Sequence, residues 1–121
     1  MRPAITEGIA HFNARRFFEA HEALEALWLK EKGEEKLFLH RLIQVAAAFH
    51  HHLRGNEKGF RSLLEKGEKK LALYAERNHG IDVENFLKQL RPSLAAARSQ
   101  ELGATTLPLP FLRTLDGCSM P

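Results

Sequence analysis

The sequence predicts an all-α fold, a compact orthogonal bundle of about five helices with an extended C-terminal tail. Three observations lead there. Apolar residues recur at the helical period through most of the 121 residues, and no stretch of useful length alternates with the period of a strand. Glycine, asparagine and proline mostly fall between the periodic stretches, where helices start and stop. The chain is 44% hydrophobic and 27% charged, enough for both a core and a solvated surface in one domain spanning 1–121.

The elements follow in order. A first helix is expected from about Pro3 to Asn13, because a proline in the first turn gives up an N–H that has no partner there. A second runs from about Arg16 to Glu31 and stops at Gly33, and a third from about Glu34 to Arg54 stops at Gly55-Asn56. Asn56 can cap a fourth helix reaching about Arg77, with Phe60, Leu63, Leu64, Leu71 and Tyr74 on one stripe. Gly67 lies on that stripe and costs about 1 kcal/mol inside a helix, so a close approach by another helix is its natural reason. "NHG" at 78–80 reads as a helix end, and Asp82 can cap a fifth helix through about Leu90. Pro92 limits or kinks that helix, with a further turn or two open as far as Arg98. The proline-rich tail, 103–121, is expected to be extended, with Leu107, Leu109, Phe111 and Leu112 able to pack across the bundle.

Composition excludes several classes. The net charge of +3 is spread rather than concentrated: between Arg54 and Arg77 the basic residues alternate with Glu57, Glu65, Glu68 and Glu76. No aromatic residues interleave with a basic strip, which argues against nucleic acid as a partner. No apolar run approaches the roughly 18 residues that span a bilayer, and "MRPAITEGIA" lacks a signal-peptide core. No membrane association and a cytoplasmic location are therefore expected. The single cysteine, Cys118, rules out an internal disulfide. Low Asn, Gln, Cys and Met beside abundant Glu, Lys, Arg and Leu resembles thermophile usage. Exposed tail residues such as Leu109 and Phe111 leave a homodimer open.

The functional signal is polar residues on apolar faces. At about 100° per residue, Phe17, Ala20, Leu24, Leu27 and Trp28 centre the apolar face of the second helix, and Phe18 and Leu29 extend it. His21 and Glu25, i and i+4, fall between centre and extension. On the third helix Leu39, Leu42, Ile43, Ala46, Phe49 and Leu53 define a broad apolar face with His50 at its centre. Gln44 lies on a flanking strip with His40 and His51. The run "HHH", 50–52, is therefore not one cluster, since a helix sends its three imidazoles in three directions.

An αα-hairpin joins these helices, which can bring His50 near His21. Two imidazoles and a carboxylate, His21, Glu25 and His50, suit a divalent metal ion with open positions for water or a small molecule. Without metal, a carboxylate beside an imidazole raises its basicity, as a general base requires. In either form Trp28 would wall a ligand pocket and Gln44 would orient a ligand or water. The bland alternative is a non-catalytic scaffold or interaction module in which the same residues form a hydrogen-bonded network. The pattern does not choose between enzyme and scaffold.

"FNARRFFEAHEALEALW", followed by "LIQVAAAFHHHLRGNEKGF", resembles the DUF309 family of small bacterial and archaeal helical proteins of unknown function. The matching positions are Phe12, Asn13, Phe17, Glu19, Ala20, His21, Glu22, Glu25 and Trp28, then Ile43, Gln44, Ala46, Ala47, His50, Gly55, Asn56 and Gly59. They lie within about residues 5–75. The resemblance implies an all-helical fold. It also implies that the HxxxExxW motif, His21, Glu25 and Trp28 here with Glu22 beside them, is a metal-binding or catalytic feature with no established activity. Family members often carry glycine where this chain has Arg15; if that turn needs a positive φ, arginine costs about 1 kcal/mol there.

Overall fold

In the computed structural model five α-helices occupy the described residues, which are 3–74, 81–99 and 109–113. They are α1 (Pro3–Asn13), α2 (Phe17–Trp28), α3 (Gly33–Leu53), α4 (Glu57–Leu71) and α5 (Val83–Ser99), with a 3-10 turn at Ala72–Tyr74 closing α4. The all-α expectation holds. The helix end at 78–80, residues 75–77 of the expected fourth helix, tail residues 103–108 and 114–121, and Cys118 lie outside the described residues.

The core begins as five phenylalanines, one from each helix. Phe12 of α1 meets Phe17 of α2 at 5.0 Å between ring centroids, Phe49 of α3 at 6.2 Å and Phe86 of α5 at 5.6 Å. Phe49 in turn meets Phe17 at 5.5 Å and Phe60 of α4 at 5.2 Å. Each of these rings is fully buried. The edge-on contacts of Phe12 are the arrangement that ring quadrupoles favour. Leu24, Leu39, Leu64, Leu71 and Leu90 continue the core outwards along the same helices.

The turns explain several residues that periodicity leaves open. After α1 the Arg16 N–H bonds the His11 carbonyl and the Arg15 N–H that of Phe12; after α3 the Asn56 N–H bonds His51 and the Gly55 N–H bonds His52. Both are the helix ending that places one residue in the left-handed region. Gly55 takes that position with φ +83° and Arg15 with φ +68°, so the turn does require the conformation that favours glycine. "GNEKG" is thus a turn device. Gly55 ends α3, Asn56 Oδ1 caps α4 by accepting from the Gly59 N–H at 3.0 Å, and a Cβ on Gly59 would lie 2.8 Å from Asn56 Nδ2.

Two helix ends differ from expectation. The last residues expected in α2 close as i→i−3 bonds, Lys30 N–H to Leu27 and Glu31 N–H to Trp28, a tightened final turn. α4 gives way at Leu71 to the 3-10 turn, short of Arg77. α5 passes Leu90 and runs through Pro92 to Ser99, taking the further turns left open towards Arg98. Pro92 and Lys88, whose carbonyl loses its donor, are both exposed, so water can take the freed bond. Buried Ser93 and Leu94 on the far side keep the chain helical.

The described part of the tail is extended and docked. Leu112 is buried, and Asn13 both donates to its carbonyl at 2.9 Å and accepts from its N–H at 2.7 Å. Arg113 pairs with Asp82 at 2.8 Å, and that hydrogen bond holds the Asp82 carboxyl below its ordinary range.

The close approach expected at Gly67 is present: a Cβ there would sit 2.7 Å from Cγ2 of Val45 on α3. Val45 is fully buried and β-branched, so it has little room to yield. Gly67→Ala should lower stability by about 1–2 kcal/mol despite alanine's better helix propensity, because overpacking outweighs it. Adding Val45→Ala should recover part of that loss. Chemical denaturation of the two variants checks both signs.

Candidate functional site

The pair Phe17–Phe49 orients the site, because the next residue on each helix is turned about 100° out of the core. Those next residues are Phe18 and His50, and their rings meet at 5.3 Å. Phe18 also stacks on His21 at 6.1 Å with an interplanar angle of 19°. Ala47, one turn before His50, leaves room where a larger side chain would fill the space. The result is a hollow of about 160 Å³ between α2 and α3, lined by Phe18, His21, Ala47, His50 and His51.

His21 and His50 therefore come together as the hairpin argument expects, and both face one cavity. Glu25 and Glu22 are exposed and do not line it. Trp28 lies about 10 Å further along α2. There Lys36 sits 4.4 Å over its ring and His40 packs beside it at 6.1 Å. Gln44 accepts from Arg41 Nη1 at 3.3 Å, outside the hollow. Phe18, Ala47 and His51 are the lining residues that the wheel passed over. They were within reach of one-turn spacing: Phe18 is i−3 from His21, and His51 is i+4 from Ala47.

Away from His21 and His50, the imidazoles of the described residues have local partners. Asn56 Nδ2 lies 3.2 Å from His51 Nδ1 and donates to it, leaving the His51 proton on Nε2. His52 Nδ1 lies 3.1 Å from Glu57 Oε2, and its ring packs on Phe60 at 5.0 Å. His11 Nδ1 accepts from Arg16 Nε at 3.2 Å. Arg41 Nη1 lies 3.3 Å from His40 Nδ1. His21 is different: its Nδ1 is buried and has no hydrogen-bond partner among the described residues.

Burial pushes the His50 imidazole below the ordinary 6.5, and Arg54, His51 and His21 push it further, while Glu19 acts weakly the other way. His50 is therefore neutral near pH 7, with a free lone pair for a proton or a ligand. His40 is likewise lowered, by burial and then by Arg41. As a metal centre the donor set does not close on itself. Among the described residues no group of three or more His, Cys, Asp or Glu is placed to hold an ion, and Glu25 faces solvent.

Fold and hollow together define a small helical unit whose paired second and third helices border a half-open, histidine-walled hollow. Residues 5–63 match the family described as "Domain of unknown function (DUF309)". The matched stretch includes every lining residue and ends within α4, leaving α5 and the docked tail outside it. No curated protein and no solved structure matches the chain. Among the described residues no helix is long and apolar enough to cross a membrane.

The lowered values of His50 and His40 give a pH dependence with a defined sign. Between those values and 6.5 the unfolded chain binds protons that the folded one refuses, so stability rises with pH in that window. The contribution is complete above 6.5 and is lost as pH falls through it towards the folded values. Urea unfolding at pH 7.5 and pH 5 should show the loss, and His50→Gln should shrink it.

Proposed function

We propose that the hollow between α2 and α3 binds a compact molecule about the size of a single ring, with His21 and His50 as its acid/base pair. The observation that carries this reading is that His21, whose Nδ1 is buried and unpartnered among the described residues, lines the hollow beside His50. A buried polar atom without a partner costs about 1–3 kcal/mol. Leucine or phenylalanine would fill the same position without that cost, and a residue kept against stability at the edge of a cavity is what a working site looks like.

The chemistry of the lining supports the same reading. A cavity of about 150 Å³ can hold benzene, so the hollow's 160 Å³ suits one ring. Phe18 supplies an aromatic wall, neutral His50 an acceptor, and His51, with its proton on Nε2, a donor. A ligand carrying an apolar ring and one N–H or O–H group fits that combination. In an acid/base step His50 takes the ligand's proton. This reading keeps His21 and His50 of the sequence-derived trio and leaves Glu25, Glu22, Trp28 and Gln44 outside the cavity.

His21→Leu should leave stability unchanged or raise it by up to about 1–3 kcal/mol, the cost of the orphaned atom. Phenol and imidazole, added to the wild-type chain, should shift the NMR resonances of Phe18, Ala47 and His50, and the shifts should vanish in His21→Leu. A parallel zinc titration separates a metal site from an organic one. If His21→Leu instead loses about 1–3 kcal/mol and neither ring compound nor zinc perturbs the lining, the histidines form a structural network and the domain is a scaffold.

A further inference from the structure

The docked tail is held in an unusual way. An extended chain turns the polar groups of successive residues to opposite sides, and the segment Leu109–Arg113 is gripped from two sides accordingly. On one side the Gln89 amide of α5 accepts from the Phe111 N–H at 2.8 Å and donates to its carbonyl at 3.0 Å. On the other side the Asn13 amide of α1 accepts from the Leu112 N–H at 2.7 Å and donates to its carbonyl at 2.9 Å. Each primary amide offers one acceptor and one donor to a single residue, as a neighbouring β-strand would. The Arg15 guanidinium donates to the carbonyls of Pro110 and Leu109, and the Asp82 N–H donates to that of Arg113 at 2.8 Å.

None of these bonds depends on which side chains the segment carries. Identity is read elsewhere: Pro110 and Leu112 are buried, and Arg113 pairs with Asp82. Phe111 is 51% exposed and lies under the Arg15 guanidinium at 4.0 Å. Arg15 holds this place in the left-handed region, which strains a non-glycine residue. Its side chain reaches the segment with two hydrogen bonds and a ring contact, which offsets that strain.

We propose that the groove between the α1–α2 turn and α5 is a recognition site for an extended peptide of the pattern Leu-Pro-x-Leu-Arg, filled in cis by this chain's own segment and open in trans to the same segment of a second copy. Backbone capture plus one or two side-chain pockets is the general mode by which proteins hold extended peptides. A second copy is the occupant because it carries the sequence that the groove reads. The cis segment competes at an effective concentration in the millimolar range, so one chain alone closes its own groove.

Two full-length variants test this. Leu112→Ala weakens the tail and leaves the groove intact; Asn13→Ala with Gln89→Ala weakens the groove and leaves the tail intact. Mixed at about 0.5 mM, within reach of that millimolar competition, they should form a heterodimer in sedimentation velocity that neither forms alone. The peptide acetyl-Leu-Pro-Phe-Leu-Arg-amide should dissolve it, and should bind the Leu112→Ala chain at least about tenfold more tightly than wild type, where the cis segment competes. Arg113→Glu, at an exposed position, replaces Leu112→Ala if that variant does not fold. Peptide binding without a heterodimer overturns the second copy as the source. Folded chains that neither associate nor bind the peptide, or peptide binding that survives the loss of Asn13 and Gln89, overturn the groove itself.

Discussion

Five phenylalanine rings, one from each helix, set the positions on which everything else depends. Phe12 and Phe49 each touch three others, so neither α1 nor α3 can rotate without disturbing the rest of the cluster. Interiors pack at crystal-like density and have few alternative arrangements. That rigidity passes to the neighbouring strip of each helix. With Phe17 against Phe49 inside, Phe18 and His50 must face each other outside, and the cavity opens at their rim. The site is therefore a consequence of the core rather than an addition to it.

The helices were legible because their apolar period is strong and their caps are conventional. Asn56 and Asp82 both accept from a backbone N–H three residues on, as their positions in the sequence suggest. Gly67 also declared itself, since a glycine on an apolar stripe has few other reasons to be there. α5 was harder to read, because whether a proline stops a helix depends on the carbonyl it orphans facing water. That is a property of the assembled bundle. The same holds for the candidate site. A wheel places His21 and Glu25 on one arc, but whether that arc faces a partner helix or solvent depends on how the helices are rolled against each other. The roll buries His21 Nδ1 and leaves Glu25 exposed. The role of Arg15 was half visible: the strained turn could be expected, while its contact with residues 109–113, nearly the whole chain away, could not.

The family match divides the molecule unevenly. Residues 5–63 hold the hairpin, the cavity and the turn device at Gly55, Asn56 and Gly59. α5 and the docked segment lie beyond it, yet they pack on residues within it through Phe12, Asn13 and Arg15. The two proposed interaction sites share one scaffold. The cavity between α2 and α3 offers imidazoles and an aromatic wall, chemistry suited to a small ring. The groove against α5 offers amides in strand-like spacing, chemistry suited to a backbone. The two proposed sites draw on different residues and can be altered separately.

On the proposed function, His21 and His50 serve a ligand rather than each other or the core. Long-range nitrogen–proton NMR spectra of the imidazole rings, followed through a pH titration, address it most directly. In that case His21 Nδ1 lacks the signature of a hydrogen bond, and His50 titrates below the ordinary histidine value because burial and Arg54 disfavour its charge. A His21 Nδ1 bonded to a protein group, with His50 titrating at the ordinary value, would contradict it.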